Sequence, residues 1–239
     1  MPTLVKLYLD SGGLRSKLGR GNKVEKKLRS SLLDFLTHIH PPRINRRIIG
    51  FWPTMCMGGL SFFLFIVLSA TGLLLMLFYQ PGDSQLALAS ITVIQDVIPY
   101  GGFVRSLHKW AGQLMVFTVM LHLIRVVLTN AYRPPKELNW VIGVILLIFT
   151  VALDFSGYLL VGDVVAREAG KIASALMGEV PGIGGYLQQI VFAGNNPLTA
   201  LGGLRVYIWH CLFLPMLSFL LMGWHFFRVR KDGGVEWPL

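Results

Sequence analysis

The chain has 239 residues, of which 54% are hydrophobic and only 14% are charged, and its mean hydropathy is +0.59. Ordinary soluble domains carry charge on about a quarter of their residues, so this composition excludes that class. The net charge is +10, but 11 of the 22 Lys and Arg residues lie between Lys6 and Arg47, before the first apolar segment. This one-sided distribution favours contact with anionic membrane lipids, and we expect no nucleic-acid partner.

Residues 1–37 are basic, and their leucines recur at helical spacing. This pattern is typical of an amphipathic segment that lies on the cytoplasmic face of a membrane. The segment lacks the short apolar core and the small-residue cleavage site of a signal peptide, so we expect no cleavage. The stretch HPPRINRR, at His40–Arg47, would end a helix. We therefore divide the chain into an amphipathic segment, residues 1–37, and a membrane domain, residues 38–239.

Four apolar windows are each long enough to cross a bilayer, which takes about 20 mainly apolar residues in an α-helix. They are Phe51–Phe78, Trp110–Leu128, Trp140–Leu160 and Tyr207–Phe227. The sequence therefore predicts an all-α membrane protein built as a four-helix transmembrane bundle. An even number of spans leaves both termini on one side of the membrane, and the basic residues of that side predict that it is cytoplasmic.

The connection between the third and fourth windows, residues 161–206, is moderately polar and rich in glycine. A structureless loop of this length would be unusual, so we expect short helices that rest on the outer membrane face. Proline and glycine, as in VPGIGG at residues 180–185, would form the turns between these helices.

Two pairs of histidines lie in or directly beside the second and fourth windows. His108 and His122 are fourteen residues apart, which in an α-helix means about 21 Å along the axis and about 40° around it. His210 and His225 are fifteen apart, which gives about 22 Å and about 60° in a regular helix. Because both windows cross the membrane in the same direction, we expect His108 level with His210 near the outer face. His122 would be level with His225 near the cytoplasmic face.

Two histidines at one depth on facing helices can bind a haem iron from both sides. Ionisable side chains inside a bilayer are costly, so they indicate a functional site. A single histidine here would be interpreted as a buried residue whose hydrogen bonds are made within the protein. Two pairs, each at one membrane depth, instead predict two haems with two histidine ligands each. The alternative from another class is a transporter that uses the histidines as a proton relay, and it predicts no haem absorption.

Glycines in the first and third windows repeat the histidine spacing. Gly58 and Gly72 are fourteen apart, Gly143 and Gly157 are also fourteen apart, and Gly59 adjoins the first pair. A residue without a β-carbon lets a porphyrin face approach the backbone, so we expect these glycines to make room for haem. Close helix packing through small residues is the alternative.

Basic residues lie near both predicted histidine levels. Arg105 and Arg125 are each three residues from a histidine of the second window. Their guanidinium groups would meet haem propionates. Snorkelling to the membrane interface is the alternative explanation for both arginines.

Several stretches of the chain, together with the histidine spacings, resemble cytochrome b in its short, split four-helix form. They are CMGG, SATGLLLMLFYQP, VRSLHKW, MLHLIRVVLTNAYRPPKELNWVIGV, SGYLLVGD, VPGIGG and HFFRVRKDGGVEWPL. The resemblance covers about residues 38–239, and this form occurs in cytochrome bf complexes and in complexes of some Gram-positive bacteria. It implies two b-type haems and an electron-transfer subunit of a proton-translocating quinol:cytochrome c (or plastocyanin-like acceptor) oxidoreductase.

The same resemblance implies a route and a set of partners. Electrons would pass from an outer quinol-oxidising site to a cytoplasmic-side quinone-reducing site. A separate subunit would supply the remaining cytochrome b helices, and a Rieske iron–sulfur protein and a c-type cytochrome would complete a homodimeric complex. The membrane would be a bacterial cytoplasmic membrane or an equivalent energy-transducing membrane.

Cys56 is the residue for which the resemblance implies a third haem. In the split group, a cysteine followed two residues later by a glycine pair holds a haem through one thioether bond, and Cys56-Met57-Gly58-Gly59 fits that pattern. Arg230 fits the basic residue near the propionates of that haem. A buried structural cysteine is the alternative for Cys56.

The chain departs from the family pattern at two places. The usual turn GY-x-LPWD is replaced by GYLLVGDVV, with Val161 and Gly162 where proline and tryptophan belong, and Asp154 stands where a glycine is usual. We expect both changes to lie towards the quinol-oxidising pocket. There Asp154 would accept protons or pair with a basic residue. Both changes are also compatible with altered quinol oxidation or with the loss of the outer site. An alternative electron-transfer function is that of the di-haem membrane anchor of a hydrogenase or formate dehydrogenase. Such anchors lack these histidine spacings.

Overall fold

The computed structural model of the protein describes residues 56–197 and 199–235. These residues contain eight α-helices and one π-helical turn, and no strand occurs among them. The helices are α1 Met57–Met76, α2 Ser84–Asp96, α3 Gly101–Leu128, α4 Glu137–Leu159, α5 Val164–Gly178, α6 Gly184–Phe192, α7 Ala200–Ile208 and α8 Leu214–Asp232, with the π turn at Trp209–Phe213. The predicted amphipathic segment 1–37 and the domain boundary at residue 38 lie outside the described residues.

Among the described residues, four helices are long and apolar enough to cross a membrane, which confirms the predicted all-α membrane fold. They are α1, α3, α4 and a continuous fourth span, Ala200–Asp232, made of α7, the π turn and α8. The second span begins at Gly101 where Trp110 was expected, and the fourth begins at Ala200 where Tyr207 was expected. The apolar windows missed these first turns because charged residues and glycines lower their hydropathy: Arg105 and Lys109 in the second span, and Gly202, Gly203 and Arg205 in the fourth.

The connections between the spans are themselves helical. Helices α5 and α6 confirm the short helices expected between the third and fourth spans. Helix α2, between the first two spans, was not predicted. The side chain of Asp83 caps it by accepting hydrogen bonds from the backbone N–H groups of Gln85 and Leu86. Its buried residues recur at intervals of three and four, as expected for a helix: Ala87, Ser90 and Ile94.

The spans pack as two adjacent helix pairs. Helix α1 packs most extensively on α3, and α8 packs most extensively on α4. A cluster of buried apolar side chains lies within the bundle: Leu64, Phe65, Ala111, Met115 and Met222. Met115 is midway between His108 and His122 along α3, so this packed core separates the two histidine levels.

The π turn explains the fifteen-residue spacing of the fourth span. Its defining bond runs from the N–H of Leu214 to the carbonyl of Trp209, five residues back. Pro215 follows at the start of α8 and has no N–H to bond the carbonyl of Cys211, which weakens the regular helical pattern there. A π turn accommodates one extra residue, so fifteen residues here cover the rotation of about fourteen in a regular helix. The expected offset of about 60° between His210 and His225 is therefore wrong.

Candidate haem-binding site

The structure brings the four histidines together in two pairs. The ring centres of His108 and His210 are 6.3 Å apart, with their planes at 72°, and we call these residues the first pair. The ring centres of His122 and His225 are 6.5 Å apart at 80°, and these residues form the second pair. Each pair joins α3 to the fourth span at one level of the bundle.

The distance within each pair fits an iron atom bound between the rings. A metal–nitrogen bond of about 2.0–2.1 Å, added to about 1.1 Å from nitrogen to ring centre, gives about 6.3 Å for two opposed imidazoles. Within residues 56–197 and 199–235, no group of three or more His, Cys, Asp or Glu side chains is placed to hold a metal ion. Two nitrogens at each level would supply both protein ligands of a six-coordinate porphyrin iron.

Four of the five predicted glycines lie directly against the paired imidazoles. A Cβ on each would approach Cε1 of one histidine, at 3.5 Å for Gly58 and His122, 3.2 Å for Gly72 and His108, 3.5 Å for Gly143 and His225, and 2.8 Å for Gly157 and His210. The shared fourteen-residue spacing thus places one glycine behind each histidine ring. Gly59 differs, because a Cβ there would have no described neighbour within 4 Å.

Hydroxyl groups orient both rings of the first pair. Thr71 Oγ1 lies 2.9 Å from Nδ1 of His108, and Ser156 Oγ lies 3.0 Å from Nδ1 of His210. Each hydroxyl donates its own proton to a carbonyl of its helix, that of Val67 or of Leu153. The hydroxyl oxygen can accept a proton from Nδ1, and the tautomer with that proton leaves Nε2 of each ring to bind a metal. The backbone carbonyls of Leu68 and Leu153 also interact with the rings of His108 and His210, respectively.

The second pair is held differently. Among the described residues, no hydroxyl bonds His122 or His225, and Nδ1 of His225 is buried without a hydrogen bond of good geometry. The backbone carbonyl of Asn139 interacts with the His225 ring. The two hydroxyl partners of the first pair were missed in the sequence, although each directly precedes one of the spaced glycines.

Replacing Thr71 by valine should weaken haem binding at the first pair. Valine keeps the shape of threonine but cannot accept the Nδ1 proton of His108. Loss of such an outer partner typically lowers metal-site affinity by about 10–100-fold. Haem transfer to excess apomyoglobin, followed by visible absorbance, measures the change at each pair.

The control for this experiment is Thr150→Val, because Thr150 is also buried in a span but bonds only the Leu146 carbonyl of its own helix. Equal haem loss from the Thr71→Val and Thr150→Val proteins would contradict a specific role for the Thr71 hydroxyl.

The predicted propionate partners lie at the ends of the spans. Arg105 donates from Nη1 to Oε1 of Gln95 in α2, at 3.0 Å, and precedes His108 by about one turn. Arg125 follows His122 by about one turn, in the last turn of α3, and Arg230 lies in the last turn of α8. The sequence-predicted arginines are thus distributed over both levels.

Cys56 is adjacent to the second pair. It is the exposed N-cap residue of α1, in the left-handed conformation with φ of 51°. Gly58, two residues later, lies against the ring of His122. The cysteine is therefore at the same level of the bundle as the second pair.

The two departures from the family pattern lie on either side of the end of α4. Gly162 has φ of +73°, a left-handed conformation that glycine tolerates best, and a Cβ there would lie 3.0 Å from Ala87. Asp163 then caps α5 by accepting a hydrogen bond from the N–H of Ala166 at 2.7 Å. Asp154 lies inside α4, with Oδ1 3.6 Å from the Cβ position of Gly112 in α3.

Comparison with known proteins gives consistent matches. The family described as Cytochrome b(N-terminal)/b6/petB matches residues 113–238. Cytochrome b6 of Chlamydomonas reinhardtii is 36% identical over 188 residues, which cover 77% of this chain and 84% of that protein. Cytochrome b6 of Heliobacterium mobile is 36% identical over 178 residues, which cover 74% and 83% respectively.

A solved structure of a respiratory complex is similar to this chain in fold as well as in sequence. A chain of a hyperthermophilic respiratory Complex III aligns over 75% of this chain with a TM-score of 0.63 and 27% identity. The alignment spans 48% of the length of that chain. The family match at residues 113–238 includes three of the four paired histidines: His122, His210 and His225.

Proposed function

This chain belongs to the cytochrome b family, in which it matches the N-terminal and b6-type members, and from that membership we propose that its four paired histidines hold two b-type haems. The general function of the chain follows from its family. The chain is a transmembrane cytochrome b subunit of a quinol:cytochrome oxidoreductase and fits the short, split form. It acts in a multi-subunit complex with a Rieske protein and a cytochrome, in an energy-transducing membrane.

The observation that supports two haem sites most strongly is the geometry of the pairs. Two imidazoles face each other at each level, at the spacing that an intervening iron requires, and both levels lie inside the membrane spans. A glycine behind each ring lets the neighbouring helix approach closely. Packed side chains between the levels keep the two sites apart.

The residues of this chain have distinct roles in the proposal. Bound haem supplies one-electron transfer, while the protein supplies ligation, orientation and electrostatic tuning. Thr71 and Ser156 orient the rings of the first pair. Arg105 and Arg125 would meet propionates near the ends of the spans. Quinol would be oxidised on the side of the first pair, and quinone would be reduced on the side of the second pair.

We further propose a third haem bound covalently at Cys56. The thiol is exposed at the start of α1 and adjacent to the second pair, and Arg230 is in the last turn of the fourth span. The termini would be cytoplasmic. A separate subunit would supply the remaining cytochrome b helices and complete the quinol site, together with a c-type acceptor, and the complex would be a homodimer.

Haem extraction from the purified complex that contains the full-length chain tests these proposals. Acidified acetone should release two b-type haems per chain. The denatured chain should keep a band that stains for haem peroxidase activity, and Cys56→Ala should lose it. Cys211→Ala is the matched control and should keep the band.

The outcomes distinguish the separate claims. Two extractable haems without a stained band would overturn the covalent haem and make Cys56 structural. Two haems that survive in His122→Ala at the wild-type amount would contradict the ligand assignment. Absence of haem from both fractions would overturn the haem proposal and favour a histidine proton relay.

A further inference from the structure

Asp154 is a carboxylate inside a membrane span, close to the first histidine pair. It precedes Gly157, which faces His210, by three residues or about 4.5 Å along α4. Its Oδ1 faces Gly112, which follows His108 by four residues or about 6 Å along α3. The carboxylate therefore lies within about one helical turn of both histidines, on the side toward the second pair.

The surroundings of Asp154 provide no described partner for a negative charge. The side chain is exposed, and among residues 56–197 and 199–235 it forms no hydrogen bond or ion pair. An isolated carboxylate in an apolar medium is costly to ionise. Gly112 leaves the space opposite Asp154 open, because it has no side chain to cover the carboxylate.

The titratable groups on the elements packed against α4 fall into two sets. At the level of Asp154 they are the first-pair histidines and Cys211, none of which carries a fixed positive charge. Lys109, one residue after His108 in α3, is the charged residue of these elements nearest in level to Asp154, but its side chain is exposed and forms no ion pair with Asp154 among the described residues. The other charged or titratable residues of these elements lie at or beyond the levels of the two pairs: Arg105, His122, Arg125, Arg167, Glu168, Lys171, Arg205, Tyr207, His225, Arg228, Arg230, Lys231 and Asp232. An iron bound by the first pair would add a positive charge within about one helical turn of Asp154.

We propose that Asp154 couples proton uptake to reduction of the iron held by His108 and His210. In the ferric state, haem held by this pair would carry one net positive charge, which would stabilise the Asp154 carboxylate. One-electron reduction would cancel that charge, and the carboxylate would then take up one proton from the surrounding water. This inference rests on the proposed function, because it requires haem at the first pair.

The coupling has an unequal effect on the two haems. A negative charge favours the ferric state, so Asp154 lowers the midpoint potential of the nearby haem. The second pair is about 16 Å further along α4, measured from Asp154 to Gly143, and Coulomb interaction weakens with distance. Asp154 thereby makes electron transfer from the first haem to the second more favourable.

Redox titration of the full complex at several pH values tests the inference. In Asp154→Asn the first haem should be about tenfold easier to reduce, equal to 59 mV for a one-electron couple, and its potential should lose most of its pH dependence. The second haem should shift much less. Asp154→Glu should keep both the low potential and the pH dependence. The signal lost in His210→Ala identifies the first haem.

Asp163→Asn is the charge-matched control. It removes the same charge from the cap of α5, outside the span, and the amide oxygen can still accept the cap hydrogen bond. Unchanged potentials in Asp154→Asn with both haems bound would overturn the inference. Equal shifts of both haems, or the same shift in Asp163→Asn, would overturn it as well. Absence of haem from the wild-type chain would instead overturn the proposed function.

Discussion

Gly157→Val should remove the haem of the first pair and leave that of the second in place. A Cβ at residue 157 would lie 2.8 Å from Cε1 of His210, a separation that real Cβ atoms essentially never show. The ring cannot retreat without moving away from the position opposite His108, and such sites tolerate only about 0.5 Å of displacement. The reduced-minus-oxidised spectrum should therefore show about half the wild-type b-type haem per chain.

The other glycines provide a graded series and a control. Alanine at residue 72 would make a 3.2 Å contact with its ring, and alanine at residues 58 and 143 would make ordinary contacts of 3.5 Å. Haem loss should therefore decrease in that order. Gly223→Val introduces the same side chain into α8, where a Cβ has no described neighbour within 4 Å. Full haem content in Gly157→Val, or equal loss in Gly223→Val, would contradict this explanation.

Deletion of Leu212 should leave both haems bound, although it shortens the segment between His210 and His225. Leu212 belongs to the π turn, and removing one residue allows this turn to become regular α-helix. The two histidines would then be fourteen apart in a continuous helix, with the same offset of about 40° as the pair in α3. Difference spectra of the purified protein should show two haems per chain.

Deletion of Phe117 is the matched control, because it shortens the segment between His108 and His122 in a span that has no π turn. The rotation between those histidines would change by about 100°, and one haem should be lost. If deletion of Leu212 removed haem as completely as deletion of Phe117, the extra residue would have a role other than the one assigned here.

Much of the candidate site could be predicted from spacing alone. Hydropathy located the four spans, and helical geometry placed His108 opposite His210 and His122 opposite His225. The glycine spacing correctly pointed to the two histidine levels. The predicted role was to make room for haem, whereas in the structure these glycines contact the histidine rings. These features are periodic along single helices, so they can be read without knowing how the helices pack.

The remaining features depend on local irregularity or on tertiary contact. The fifteen-residue spacing of His210 and His225, and Pro215 between them, can both be read from the sequence. They indicate a π turn only under the added assumption that the two histidines lie on the same face of the helix. Thr71 and Ser156 were overlooked because hydroxyls inside apolar helices usually bond their own backbone, as these also do. The position of Asp154 opposite Gly112 follows from the packing of α4 on α3, which no sequence pattern specifies.

The contacts between glycines and histidines fall into two sets, one on each side of the connection between α3 and α4. Every such contact within residues 57–128 joins α1 to α3, and every one within residues 137–232 joins α4 to the fourth span. Each half is thus a contiguous segment that carries one imidazole for each level, already backed by its glycine. The short connection at residues 129–136 contributes to neither set of contacts. Haem at either level would therefore link two contiguous halves of the chain, each of which supplies one histidine and one glycine to that level.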